Sequence, residues 1–168
     1  WREFHRMMKM REKINQIGQN SRKKRFLLCM ISFLITFVCM YIIYAVMHVV
    51  PFGERTLAWE DADIQYMDFF SYFRDVLLGR NSLKYSMSNT LGNTSIGIYS
   101  YYLASPLSVL VVFFKQSQFQ YFFSLLLAIK LSLASTTACY YLQVRFKDSI
   151  RPVMTRLLAC SYGMMQYT

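Results

Sequence analysis

Residues 26–50 read FLLCMISFLITFVCMYIIYAVMHVV and contain no formally charged side chain. At a rise of about 1.5 Å per residue, a helix of this length reaches about 37 Å, enough to cross a hydrocarbon core of about 30 Å. A signal peptide instead has an apolar region of about 7 to 15 residues, followed by a small-residue cleavage site. The stretch meets neither condition, so we predict a transmembrane helix over residues 26–50.

The segment before this span is strongly basic. Residues 1–25 hold nine Lys and Arg against two Glu, and they end in four consecutive basic residues at 22–25. Basic residues beside a span are retained in the cytoplasm, so 1–25 is predicted to be a cytoplasmic tail with the N-terminus inside the cell. A net charge of +10 can also indicate nucleic acid. Anionic lipid headgroups are the simpler partner beside a membrane, and no nucleic-acid partner is predicted.

The segment after the span begins with a helix stop, Pro51-Phe52-Gly53. By the orientation above, residues 51–120 form an external loop. Over about 61–78, apolar and polar residues fall on separate stripes at helical spacing, which predicts an amphipathic helix lying in the membrane interface. The polar stripe consists of Asp61, Gln65, Asp68, Tyr72 and Asp75. Gly79 is predicted to end this helix. The Ser-, Asn- and Gly-rich residues 80–95 then form a loop.

Two further apolar runs leave the topology open. Residues 96–114 contain Ser105-Pro106 and either cross the membrane or form a second interfacial or re-entrant helix. If they cross, the basic residues that follow the next run lie outside, against the usual bias. We therefore favour an interfacial helix over 96–114 and a second transmembrane helix over 121–142. Residues 143–152 are then a basic cytoplasmic loop, and 153–168 begin a third span of an all-α, polytopic membrane protein.

Metal and cofactor chemistry has little support in the sequence. The four cysteines lie in apolar stretches without C-x-x-C spacing or a neighbouring His, so they are predicted to be neither metal ligands nor disulfides. No H-E-x-x-H, Walker or G-x-G-x-x-G motif occurs. We predict no cofactor, although the carboxylates of Asp61 and Asp63 suit a hard divalent cation.

Several short motifs follow one another in a characteristic order. They are Pro51-Phe52-Gly53, Asp61-x-x-x-Gln65-Tyr66, Asp68-Phe69-Phe70, Leu77-Leu78-Gly79, Tyr101-Tyr102-Leu103-x-Ser105-Pro106 and an apolar run around Lys130. This order resembles the bacterial YfhO family and, more broadly, the N-terminal part of glycosyltransferases with the GT-C fold. The resemblance spans about residues 26–168 and leaves out the basic tail. Because the chain begins without Met and stops inside an apolar segment, we expect it to be a fragment.

The resemblance implies a function at the outer face of the bacterial cytoplasmic membrane. Such enzymes transfer a sugar from a polyprenyl-phosphate carrier to a cell-envelope polymer such as teichoic acid. In GT-C enzymes an acidic residue of the first external loop is essential, and the matching residue here is Asp61, with Asp63 as second choice. Gln65 and Tyr66 would bind substrate beside it. A carboxylate can accept the proton of an acceptor hydroxyl, but Asp61 can equally serve to stabilise a helix N-terminus.

Four basic residues are candidates for binding the carrier phosphate. Arg74, Arg80 and Lys84 follow the acidic motif and can bind a leaving phosphate, although each can also be an ordinary interfacial anchor. Lys130 lies about 13 Å into its predicted span by helical rise. Insertion of a lysine at such depth costs about 2.5 kcal/mol or more, which phosphate binding, an internal ion pair or snorkelling would offset.

Two other functions fit the same features. A lipid or polysaccharide transporter or flippase component would use Lys130 to line a substrate path and the acidic loop as a gate. A noncatalytic membrane assembly subunit would use the aromatic interfacial helices as a docking surface.

Overall fold

The structure, a computed structural model, describes residues 2–58, 65–85, 94, 96–146 and 151–165, with the backbone alone for 2–21, 98, 101 and 102. Its α-helices are α1 (Arg2–Val46), α2 (Met67–Leu77), α3 (Ile96–Ile98), α4 (Phe119–Phe146) and α5 (Pro152–Gly163). A π-helical turn covers Tyr99–Leu103, and 3-10 helices cover Pro106–Phe113 and Gln116–Gln118. No β-strand occurs among the described residues. The all-α prediction is therefore confirmed for this part of the chain.

Two segments of the described chain are long and apolar enough to cross a membrane. They are Arg22–Val46, which covers residues 26–46 of the span predicted over 26–50, and Gln116–Phe146, which contains the predicted 121–142. The second helix extends the predicted 121–142 at both ends, because Phe119 and Phe146 are still helical. The chain divides into two compact units: unit one consists of residues 1–40 with 129–168, and unit two consists of residues 41–128.

The first helix ends at Val46, before the predicted boundary at Val50. His48 adopts a left-handed φ of 54°, and the Val49 N–H donates to the Tyr44 carbonyl at 2.9 Å. This is the backbone bond of a Schellman helix end, whose left-handed residue is usually glycine. The chain then turns back, since the Arg55 N–H donates to the His48 carbonyl at 3.1 Å. A Cβ at Gly53 would lie 2.3 Å from the His48 oxygen, so this tight loop requires glycine there.

The apolar run 96–114 is not one continuous helix. α3 and the π-helical turn end at Leu103, and the 3-10 helix starts at Pro106. Between them Ser105 is extended, with φ −69° and ψ 129°, as sterics favour for a residue that precedes proline. The interfacial helix predicted over 61–78 is described from Gln65 onward, and α2 ends at Leu77. The predicted third span, 153–168, corresponds to α5, which ends at Gly163.

Unit one packs its helices through small and polar side chains. Its buried residues on α1 are Cys29, Ser32, Thr36 and Met40; on α4 they are Ser132, Ser135, Cys139 and Gln143; on α5 they are Thr155, Ala159 and Gly163. The Ser32 and Ser135 hydroxyls hydrogen-bond at 3.0 Å. Helices in lipid gain little from burying apolar surface against each other. They associate through close packing, which small residues allow, and through hydrogen bonds, which polar residues supply. Both features are present along this interface, which we call the small-residue seam.

At Gly163, α5 approaches α4 too closely for a side chain to fit between the two helices. A Cβ at this position would lie 2.8 Å from both the Leu131 carbonyl oxygen and the Ser135 Cβ. We expect Gly163→Ala to force the helices apart and to reduce the free energy of unfolding by about 1 to 3 kcal/mol. Thermal unfolding followed by circular dichroism in detergent measures the loss. Ser161→Ala, at an exposed position of the same helix, is the control, and equal midpoints for the two variants would contradict the close approach.

Candidate functional site

Helix α2 lies on an aromatic core within unit two. The core consists of Phe70, Phe73, Leu103, Val111, Phe119, Phe122 and Leu126, all buried. Phe70 on α2 meets Phe122 on α4 edge to face, with ring centroids 5.1 Å apart, and Phe73 packs on Tyr99 at 4.9 Å. Aromatic pairs in such geometries contribute about 0.5 to 1.5 kcal/mol beyond the area they bury. The broken 96–114 segment thus supplies the surface that holds α2.

The same unit contains the C-terminal end of the first helix. Tyr44 is buried, and its hydroxyl donates to the Ser124 carbonyl on α4 at 3.1 Å. A buried phenol needs such a partner, because a lost hydrogen bond would leave a desolvated polar group. This bond joins α1 to α4, and α4 also carries Phe122 of the aromatic core.

The C-terminal end of α2 folds back through Gly79. Gly79 has a φ of +75°, the Arg80 N–H donates to the Asp75 carbonyl at 2.8 Å, and the Gly79 N–H donates to the Val76 carbonyl at 3.0 Å. These are the two bonds of a Schellman motif, for which glycine is the usual left-handed residue. The turn brings the Arg80 side chain back to its own helix, where its Nη1 lies 3.6 Å from Asp75 Oδ1.

A second arginine shares the same carboxylate oxygen. Arg74 Nη1 lies 4.0 Å from Asp75 Oδ1, and the Arg74 side chain is only 22% exposed. Its Nε is buried and has no hydrogen-bond partner among the described atoms. A buried donor without an acceptor is costly, so this guanidinium retains capacity for a further oxygen ligand.

The loop after Arg80 is held against α2 by a side chain of the helix. The Tyr72 hydroxyl donates to the Ser82 carbonyl at 2.5 Å, and the Lys84 N–H donates to the Ser82 Oγ at 3.1 Å. The Lys84 side chain is exposed. A third basic residue therefore belongs to the short loop that closes on the end of α2.

Positive charge exceeds negative charge at this end of α2, which we call the arginine end. It contains Arg74, Arg80 and Lys84 with a single carboxylate, Asp75, among the residues that the structure describes there. Surface ion pairs are individually weak, so Asp75 leaves most of the cationic character available. Planar guanidinium groups match the geometry of phosphate and carboxylate oxygens. The arginine end can therefore bind an anion.

The other predicted site residues fall in different places. Gln65 and Tyr66 form the turn that leads into α2, and both are half-buried. The Tyr66 ring packs edge-on against Phe123, with centroids 6.4 Å apart, so it contributes to the aromatic packing, and its role in substrate binding stays a prediction. Asp61 and Asp63 lie outside the described residues. Their catalytic role, and the cation that they would hold, also stay predictions.

Lys130 belongs to unit one, whereas α2 and the arginine end belong to unit two. It lies in the long apolar segment Gln116–Phe146, and its side chain is exposed. The neighbouring Ser132 and Ser135 are fully buried in the small-residue seam. Lys130 itself is exposed and is not among the buried residues of this seam.

Two contacts at the arginine end involve residues outside the predicted site. Asp75, which both arginines approach, and Tyr72, which fixes the loop, belong by sequence only to the polar stripe of the interfacial helix. The Leu77-Leu78-Gly79 sequence could have indicated this contact. When a helix ends in a glycine turn, the residue after the glycine folds back beside the last turn of the helix. That geometry makes Asp75 the expected neighbour of Arg80.

Neutralising Asp75 should strengthen anion binding at the arginine end. We expect Asp75→Asn to raise the affinity of the protein for a soluble phosphate ester by about two- to fivefold, and Arg80→Gln to lower it by a similar factor. The reason is that Asp75 competes with the ligand for the two guanidinium groups. Titration in detergent at low and high salt measures the effect, which should shrink as salt rises.

Asp68→Asn provides the matched control for that titration. Asp68 is an exposed acid in the first turn of the same helix, and its loss changes the net charge by the same amount. An equal gain from Asp68→Asn would attribute the effect to overall charge and contradict a local site at Asp75.

Comparison with known proteins gives one match. A family model described as "Bacterial membrane protein YfhO" matches residues 32–168. Searches of curated proteins and of solved structures gave no match. The matched range contains α2, the arginine end and Lys130, and it begins after the basic tail.

Proposed function

Because the chain belongs to the YfhO family of bacterial membrane proteins, we propose that it acts in a membrane glycosyltransferase reaction. The sugar comes from a polyprenyl-phosphate carrier, and the acceptor is a cell-envelope polymer such as teichoic acid at the external face. The family match over residues 32–168 is the observation that carries this proposal. The cationic arginine end of α2 supports it, because a lipid-borne phosphate needs positive partners as it leaves.

Each proposed role follows from the chemistry of the transfer. The Asp61 carboxylate accepts the proton of the acceptor hydroxyl while the oxygen of that hydroxyl bonds to the anomeric carbon. The bond from the anomeric carbon to the phosphate oxygen breaks, and the polyprenyl phosphate leaves with the electron pair. Arg74 and Arg80 stabilise the negative charge that develops on this phosphate. Asp63 is the second candidate for the base.

The proposed reaction requires the arginine end to lie at the outer surface of the membrane. Nine basic residues precede the first span within residues 1–25, and such residues are retained in the cytoplasm. One crossing by the candidate span Arg22–Val46 would then bring the chain to the external face. The lipid tail of the carrier keeps its phosphate near the headgroups, which is the depth that an interfacial α2 occupies.

Asp61→Asn tests the proposed base directly in the full-length protein. Asparagine keeps the size of the side chain but cannot accept the hydroxyl proton, so transfer of radiolabelled sugar from carrier to polymer should fall about 10²- to 10⁴-fold. Membrane insertion and carrier binding should be unchanged. Asp63→Asn is the matched control and should retain most of the activity.

The outcomes of this experiment separate the two carboxylates. Full activity in Asp61→Asn together with loss in Asp63→Asn would move the base to the second residue. Full activity in both variants would exclude either of them as the base and contradict the proposed mechanism.

A transporter of lipid-linked substrate is the second candidate, favoured by the exposed Lys130 in an apolar segment. On this hypothesis its ammonium group lines the substrate path, because a charge at that depth is normally placed against a polar partner. Lys130→Met should then reduce translocation of the carrier about tenfold or more in vesicles. Sugar transfer from a short-chain soluble carrier should stay unchanged.

Leu133→Met is the control for that variant, since it introduces the same side chain at another exposed position of α4. Normal translocation by Lys130→Met would reject the transport role. A loss of sugar transfer from the soluble carrier would instead place Lys130 in the transferase mechanism.

A further inference from the structure

The basic tail is part of the same helix as the first span. α1 runs from Arg2 to Val46, and the family match begins only at residue 32. The tail therefore continues the register of α1 and lies outside the region that carries the proposed transferase function. In this register, residues three or four positions apart share a face.

One face of the tail helix is apolar. Met7, Met10, Ile14 and Ile17 recur at spacings of three, four and three. A stripe of this kind is typical of a helix that buries one side. Met8, two positions before Met10, is rotated by about 200° and falls on the opposite side of the helix.

Basic residues border the apolar stripe on both sides. In a heptad that places Met7 and Ile14 at one core position and Met10 and Ile17 at the other, the flanking positions include Arg6, Arg11 and Lys13. In a parallel pair of tails these positions would face like charges across the interface, which disfavours a second copy as partner. The next core positions are Ser21 and Lys24, so the repeat is also too short for a stable coiled coil.

An apolar stripe between rows of Lys and Arg matches an anionic membrane surface. On such a surface the apolar stripe would lie at the boundary between headgroups and acyl chains, and the basic rows would border the lipid phosphates. Such a membrane is the one that the chain itself crosses, so the surface is always within reach. Charge complementarity therefore selects anionic lipid over a second tail.

A bend is required for this contact. In the structure α1 is continuous through residues 18–21, and a straight continuation of the span would carry the stripe away from the membrane. Residues 18–21 are Gly-Gln-Asn-Ser, three of which are weak helix formers. We propose that residues 2–17 form an amphipathic helix that lies on the anionic inner surface of the membrane and bends from the first span at residues 18–21.

Trp1 allows this contact to be measured in the whole chain. Trp1 and Trp59 are the only two tryptophans, so a Trp59→Phe background reports on the tail alone. In lipid nanodiscs that contain phosphatidylglycerol, Trp1 emission should shift to the blue, and lipids brominated on their acyl chains should quench it. In discs of phosphatidylcholine alone the shift and the quenching should be small.

Met10→Gln and Met8→Gln form the matched pair that tests the stripe. We expect Met10→Gln to lower the ratio of quenched to unquenched Trp1 about tenfold, as for the loss of one partly buried apolar side chain. Met8→Gln, on the opposite face, should leave the ratio unchanged. The double variant Gly18→Ala, Asn20→Ala favours a straight helix, because alanine is a better helix former than glycine or asparagine. It should therefore also reduce the quenching of Trp1, although the apolar stripe is unchanged.

Several results would overturn the inference. Equal quenching in neutral and anionic discs would remove the role of the basic residues, and equal effects of the two Met variants would remove the stripe. Cross-linking of two tails that Met10→Gln abolishes would identify a second copy as the partner, and a blue shift that depends on added RNA would identify nucleic acid. None of these results bears on sugar transfer, so the inference and the proposed function fail separately.

Discussion

A peptide group inside hydrocarbon has no water to bond, so every backbone N–H and carbonyl of a spanning segment must be paired within the chain. The two candidate spans, Arg22–Val46 and Gln116–Phe146, meet this constraint because both are helical. The constraint also explains why the first helix ends in a closed turn, where the Val49 N–H reaches back to the Tyr44 carbonyl. The irregular backbone of the 96–114 segment lies between these two helices in the chain, and its buried Leu103 and Val111 pack in the aromatic core.

The two units are stabilised by different kinds of contact. In unit one, serine, threonine, cysteine and glycine allow the helices to approach closely, and the Ser32–Ser135 hydrogen bond joins two of them. In unit two, large aromatic rings fill the space between α2, the broken segment and α4. Small residues suit helices that meet in lipid, where burial of apolar area gives little gain. Aromatic residues suit the interface, where one side of an element meets water.

The arginine end shows how a stable core can support an incompletely satisfied polar group. α2 is fixed by Phe70 and Phe73, and Tyr72 holds the following loop through Ser82. With the backbone fixed on both sides, Arg74 keeps a buried Nε without a partner among the described atoms. Such a group costs free energy in the absence of a ligand. A phosphate that supplies the missing oxygen would gain correspondingly, which links the local structure to the proposed use of a lipid phosphate.

Sequence alone determined the membrane class, the two candidate spans and the basic tail, because these depend on the composition and periodicity of continuous segments. It also predicted the turn at Gly79, since helix ends follow local rules, whereas the phosphate-binding role of Arg74 and Arg80 stays a prediction. The sequence did not identify Asp75 as the shared partner of the arginines, the break between Leu103 and Pro106 or the Ser32–Ser135 bond. Those features depend on which residues meet in space, and Ser32 and Ser135 are 103 positions apart. The sequence contains many serines, and nothing local distinguishes the two that meet. Only the packing of the helices decides which serines form a hydrogen bond.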